Sequence, residues 1–190
     1  MASMTRRLLM MALLLGASGC ASANPELYTL ASIPGPEVDV PQRRIVMRAV
    51  NVARYLERPE IVRWSEDYQL NVRANAWWGE PLSPMIGRVL IDELSQRAQR
   101  ATIFPENSGI SASADATLEI TIQRMDADRA GTVQLRAQVV LIPTGTGRAP
   151  RFKTVRLQTV PTGGDIRAEV AAISTALGLL ADEIAQLLRR

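Results

Sequence analysis

One thiol, one primary amine and no imidazole are what the 190 residues offer to covalent chemistry. The thiol is Cys20 and the amine is Lys153. Without histidine there is no Ser-His-Asp relay, no imidazole general base and no histidine-ligated metal. Lys153 sits in an extended stretch beside Val155 with no Ser-x-x-Lys spacing around it, so a Ser–Lys mechanism has no framework. Carboxylate pairs remain. Glu57, Glu60, Glu66, Asp67 and Glu80 are of the type that flanks a glycosidic bond. With 19 Asp and Glu in the chain some pair is always at hand, and these read as solvated surface. Gly145-x-Gly147 and Gly163-Gly164 lack the spacing and the following Lys-Ser/Thr of a phosphate loop, and read as turns. No catalytic residue, metal site or cofactor is expected.

The thiol points to another chemistry. Arg6-Arg7 precede an uncharged apolar run over residues 8–15, and Ala17-Ser18-Gly19 lead into Cys20. A basic start, a short apolar core and small residues before a cut make an export signal. The core is too short for a bilayer span, which needs about 20 residues. A cysteine directly after Ser-Gly matches the bacterial lipobox, where diacylglycerol alkylates the thiol before residues 1–19 are removed. Ala17 stands where Leu is preferred. The alternative is an ordinary secretory signal cut near Ala21 or Ala23. Cys20 is the sole cysteine and stands where lipidation requires it, which favours the lipoprotein reading. One acyl chain binds only reversibly, at about 0.8 kcal/mol per buried methylene, whereas two or three palmitate-like chains anchor for good. Ala21, rather than Asp, follows the cysteine. By the sorting rule of enteric bacteria this implies the periplasmic face of the outer membrane.

The formal charge of +3 includes Arg6 and Arg7, so the mature chain is near +1. Its basic residues are scattered among acids, without the basic face of a nucleic-acid binder. No later segment approaches the apolar length of a membrane span.

These residues need positioning elements. Residues 20–42 carry Pro25, Pro34, Pro36 and Pro41 and read as the lipidated cysteine, a tether and an irregular entry to the domain, with a short strand near Glu26 to Leu30. A single α+β domain is expected over 43–190. Residues 45–52 suit an interior strand, 57–60 a turn, 61–64 a brief strand and 68–78 an alternating one. Leu70, Val72, Ala74 and Ala76 share one face of the last. Ser83-Pro84 open a helix with Ile86, Val89, Leu90, Leu94 and Ala98 at helical spacing, ending near Arg100. In it Asp92 and Glu93 precede Arg97 and Arg100, complementing the dipole. A short strand at 102–104 and a three-strand meander around 118–123, 133–141 and Val155 to Leu157 follow. The last helix carries Ile166, Val170, Ile173, Leu177, Leu180, Ile184 and Leu187 at steps of 4 and 3. That stripe suits a core helix or a coiled-coil contact, and the alanine-rich flank (Ala168, Ala171, Ala172, Ala176, Gly178, Ala181 and Ala185) offers a second packing surface. Two helices on one face of a mostly antiparallel sheet make a two-layer α+β sandwich.

Trp77-Trp78-Gly79-Glu80-Pro81-Leu82 is the most distinctive stretch. Neighbours in a strand point to opposite faces, so Trp78 is expected in the core and Trp77 partly exposed. This stretch, with Ile86 and Leu90 after it, Leu56-Glu57-Arg58-Pro59-Glu60-Ile61-Val62 before it, Tyr28-Thr29-Leu30 and the final helix, resembles the PqiC (YmbA) family of ABC-type transport auxiliary lipoproteins over about residues 26–188. Glu57 stands where the family often has Asp, and Gly79 where it often has Ala. The resemblance implies a non-enzymatic, outer-membrane-anchored partner of a periplasmic MCE-domain protein. In such systems an inner-membrane ABC transporter drives phospholipids or other hydrophobic cargo across the envelope. It leaves room for lipid contact and a homo-oligomer. Trp77, Trp78, Glu80 and Leu82 are the candidate partner-binding residues, Trp77 first among them. The alternative is an assembly or chaperone lipoprotein of another secretion or polysaccharide complex.

Overall fold

The computed structural model describes residues 24–64, 68–109, 113–145 and 147–189. The expected signal peptide, residues 1–19, and Cys20 lie outside the described residues.

Strand β7 (Ala116–Ala127) is the axis of the sheet. Leu118, Ile120 and Ile122 are fully buried, and the residues between them face outward. Along one edge it pairs antiparallel with β8 (Val133–Pro143), and β8 pairs antiparallel with β9 (Arg151–Thr159). This is the expected meander, with Gly131 at φ 87° in the first turn, a conformation open to glycine. The other edge is shared in relay by three short parallel strands: β2 (Arg43–Met47), β3 (Asn51–Val52) and β4 (Glu60–Trp64). A strand of 12 residues is about 40 Å long, enough for all three. The run 45–52, expected as one strand, is therefore broken. Met47 pairs with Leu118 but Asn51 with Thr121, so one extra residue bulges between them.

β6 (Ala101–Pro105) flanks β2 in parallel, β5 (Leu70–Trp78) pairs antiparallel with β4, and β1 (Glu26–Tyr28) lies parallel on the end of β5. The nine strands form a mixed, open sheet. Its longest ladders are antiparallel, as expected, and the short strands add parallel pairings. Burial departs from the alternation in β5: Ala76 and Trp78 are buried, while Leu70, Val72 and Ala74 are exposed. The β4–β5 ladder shifts register between Glu60 and Val62, and the outer half of β5 runs past the helices that cover the core.

Helix α1 (Leu82–Arg97) starts earlier than Ser83-Pro84 implied, with Pro81 as its N-cap residue. Ser83 lies in the first turn, and its hydroxyl donates to the Val50 carbonyl, tying the helix to the bulge between β2 and β3. Helix α2 (Ile166–Leu188) is capped by Asp165, whose carboxylate accepts from the Ala168 N–H at 2.8 Å. Val170, Ile173, Leu177, Leu180 and Ile184 are buried, and so are Ala172, Ala176, Ala181 and Ala185. The helix packs on β8 and β9 and also on α1. Most of the alanine flank, Gly178 included, is thus spent inside the fold, while Ala171 is exposed and Ala168 half-buried; the buried stripe supports the core-helix reading over the coiled-coil one. By length and hydropathy α2 passes for a membrane span, but 61% of its most apolar window is buried here, as befits a core helix.

Residues 29–42, expected as part of a tether and irregular entry, are irregular and packed against the domain. Leu30, Val38 and Val40 are buried. The Ile33 N–H donates to Glu93 Oε1 at 2.8 Å, the Ala31 N–H to Ser174 Oγ at 3.2 Å, and the Val38 N–H to the Arg97 carbonyl at 2.7 Å. Side chains and carbonyls of the two helices thus satisfy a backbone that has no ladder of its own. Arg97, 1% exposed, is held by Asp182 at 2.5 Å and by the carbonyls of Ile33, Glu93 and Gly178 at 3.1–3.2 Å. Gly35 passes flat over its guanidinium, where a Cβ would stand 2.1 Å from Nη2. Glu93 and Arg97 are therefore interior groups, not surface charges arranged for the helix dipole. Burial pushes the Glu93 carboxyl up to about 7, and among the described residues its Oε2 has no hydrogen-bond partner.

Candidate functional site

Two segments far apart in sequence meet at the end of β5. The turn 57–60 leads into β4, and the Trp78 N–H donates to the Pro59 carbonyl at 2.7 Å. One residue on, the Gly79 N–H donates to the Tyr28 carbonyl at 2.8 Å, so the end of β1 is fixed to the same corner. A Cβ at Gly79 would meet the Tyr28 oxygen at 3.5 Å, ordinary contact, and the alanine common in the family would fit. Residues 57–59 and 78–83 enclose a cleft of about 520 Å³. Its floor is apolar, from Trp78, Pro81 and Leu82. Its rim carries Arg58 and Glu80, which pair outside the cleft with Glu60 at 3.0 Å and with Arg88. The Arg58 guanidinium holds the Glu60 carboxyl below the usual carboxylate range. At Ser83 the cleft adjoins an apolar groove of about 590 Å³ between Met47, Val50, Gly87 and Ile91, with Arg48 and Arg88 along it.

Of the residues singled out in the sequence, Trp78, Glu80 and Leu82 come together here, the first and last buried and Glu80 half-buried at the rim. Trp77 does not join them. It pairs with Leu27 on the opposite face, is half-buried, and donates its indole N–H to the Ala74 carbonyl at 3.0 Å. Cys20 lies outside the described residues, and β1, six residues on, brings the chain to this corner. Among the described residues no three metal-ligating side chains are grouped. The cleft offers shape, apolar floor and paired charges, which is binding chemistry. The sequence reading missed the buried Glu93–Arg97–Asp182 cluster. Its signal was present: Ile86, Leu90, Glu93 and Arg97 step by 4, 3 and 4, so two charges continue an apolar stripe.

Two solved structures share the fold. One, described as an uncharacterized protein, is 18% identical with a TM-score of 0.73 and covers 86% of this chain and 98% of its own. The other, protein XCC0632 from Xanthomonas campestris, is 21% identical with a TM-score of 0.68 and covers 86% and 94%. No curated protein is a significant match. The family model of the ABC-type transport auxiliary lipoprotein component matches residues 28–185. That span runs from the end of β1 to the last turns of α2 and takes in both walls of the cleft, so the chain belongs to the ABC-type transport auxiliary lipoproteins.

Proposed function

We propose that this protein is a docking subunit, without catalytic activity, of an envelope transport system driven by an ABC transporter. Cys20 carries its acyl anchor in the outer membrane, and an MCE-domain protein seats in the cleft of residues 57–59 and 78–83. The observation that carries the reading is the convergence of the two family-like segments on one cleft, bonded directly to the strand that leads back to Cys20. An apolar floor with a paired-charge rim is the anatomy of a protein interface, in which a few central side chains supply most of the affinity. Nothing in the cleft needs a cofactor. Phospholipid or another hydrophobic cargo would pass through the partner, not be transformed here.

The test is capture of the MCE-domain protein encoded beside this chain by the detergent-solubilised lipoprotein. Glu80→Arg places like charge against Arg88 at the rim and should reduce capture at least tenfold with an unchanged melting temperature. Trp77→Ala, on the other face, should not. Capture lost in Trp77→Ala but kept in Glu80→Arg would move the interface to the opposite face. No capture by the wild-type chain would end the MCE reading and turn attention to a secretion or polysaccharide complex.

A further inference from the structure

We propose that the end of the sheet from which the chain runs back toward Cys20 is a bilayer-facing surface. Trp64, Leu70 and Val72 lie at the lipid interface, and Arg136 and Arg156 take lipid phosphates. This rests on the lipid anchor at Cys20 proposed above.

Chain direction comes first. β1 is parallel to β5 with Glu26 beside Ala76, so the chain enters β1 from the side on which β5 begins at Leu70. Glu26 is six positions on from Cys20, a reach of at most about 20 Å. From Ala76 back to Leu70 β5 extends by a similar length, about 20 Å. An acyl chain on Cys20 therefore keeps this end of the sheet at the membrane and cannot hold it far away.

What this end exposes fits the location. Trp64 pairs with Leu70, and Val62 with Val72, and cross-strand partners share a face. Trp64 is 41% exposed, Leu70 39% and Val72 38%. Tyr68, in a tight turn at φ 62°, is fully exposed, and Val160 is exposed after β9 at the same end. Trp64 is held in place: Tyr55 meets it edge-on with ring centroids 6.0 Å apart, and Arg124 lies 5.2 Å over its ring. The Tyr55 hydroxyl donates to Asp126, which also binds Arg124 at 3.1 Å. A fixed, half-exposed tryptophan with apolar neighbours suits the headgroup level of a bilayer.

Charge supplies the complement. Arg124, Arg136 and Arg156 stand directly opposite one another across β7, β8 and β9. Like charges in that position repel. Asp126 balances Arg124, but among the described residues no hydrogen bond or ion pair reaches Arg136 or Arg156. Gln134 and Gln158 flank them around a hollow of about 220 Å³. Two adjacent guanidinium forks match the oxygens of a phosphodiester, and lipid headgroups supply phosphodiesters along the plane in which Trp64 lies.

The test uses the complete lipoprotein, purified from cells and reconstituted into phosphatidylcholine–phosphatidylglycerol vesicles with brominated acyl chains. Intact mass first reports whether Cys20 is acylated. In the acylated chain, brominated lipid should quench tryptophan emission, and Trp64→Phe should remove most of that quenching. The pair Arg136→Gln and Arg156→Gln should at least halve it, with melting temperatures unchanged. An acylated chain whose emission is insensitive to bromine overturns the surface and leaves the anchor standing. An unacylated chain overturns the anchor and this inference with it. An acylated chain that sediments as a dimer in detergent and whose Trp64 stays insensitive to bromine in the vesicles assigns the face to a second copy and also overturns it.

Discussion

Glu93 keeps one carboxylate oxygen on the Ile33 N–H and leaves the other, in the interior, without a hydrogen-bond partner among the described residues. Burial raises its carboxyl from 4.5 to about 7, partly offset by the Ile33 hydrogen bond and Arg97. The folded state thus binds more protons than the unfolded chain between those values. Its contribution to stability is fully present below pH 4.5 and is lost as pH rises through about 7. At about 1.4 kcal/mol per unit the loss is on the order of 3–4 kcal/mol. Asp126, likewise raised by burial, acts in the same sense. Glu60 and Asp115 are lowered by arginine partners, so their stabilisation fades only under acid conditions, below this window. The melting temperature should therefore fall between pH 5 and pH 8. Glu93→Gln, which keeps the acceptor and removes the charge, should flatten that fall and be the more stable chain at pH 8. Equal slopes for the two chains would show that Glu93 is not the titrating group. Sequence alone did not show this residue's place, because a carboxylate on an apolar stripe looks like any surface acid until its cover is known. The cover here is residues 31–38, whose prolines advertise only irregular backbone.

At the scale of elements, period and direction were unequally legible. Period is written in side chains, so β7, β8, α1 and α2 could be placed from alternation and from steps of 3 and 4. Direction is not: β2, β3 and β4 are short, and whether they run parallel or antiparallel to β7 is decided by where the intervening chain can pass. The one-residue bulge after Met47 was equally hidden, since every residue from Ile45 to Val50 except Arg48 is apolar and no turn signal interrupts them. The candidate cleft was readable only in part. Its residues were found by resemblance to a family, while the hydrogen bond from Trp78 to Pro59 that joins its walls depends on the pairing of β4 with β5. The stripe on α2 gives the clearest test at this scale. Leu177 is fully buried, at the middle of a helix that packs on β8, β9 and α1 together. Leu177→Ala should cost about 2–5 kcal/mol by denaturant titration. A loss under about 0.5 kcal/mol, the size typical of a surface change, would mean that the helix is not seated as described.

For the molecule as a whole, the decisive matter is where the folded unit begins. Composition places the start near Arg43, because four prolines, Pro25, Pro34, Pro36 and Pro41, punctuate the residues before it, and no regular ladder fits among them. Packing places it earlier. Leu30, Val38 and Val40 are buried, and at about 1.5–3 kcal/mol for each such side chain their burial contributes about 5–9 kcal/mol. That is comparable with the whole stability of an ordinary domain, about 5–15 kcal/mol. Removing the segment would also strip Glu93 of its Ile33 donor and Arg97 of the Ile33 carbonyl and of the cover from Gly35, leaving a buried charge cluster half solvated. The same segment joins the anchor to the cleft, since it begins as β1 beside Trp78 and then runs between the two helices. A chain beginning at Asn24 should therefore unfold in one cooperative thermal transition, and a chain beginning at Arg43 should show none, or a melting temperature lower by at least about 10 °C. That shift follows from a loss of this size at about 2–4 °C per kcal/mol for a domain of this length. A cooperative melt of the shorter chain within a few degrees of the longer one would show that the segment is a tether after all. The path from lipid to cleft would then be flexible rather than built into the fold.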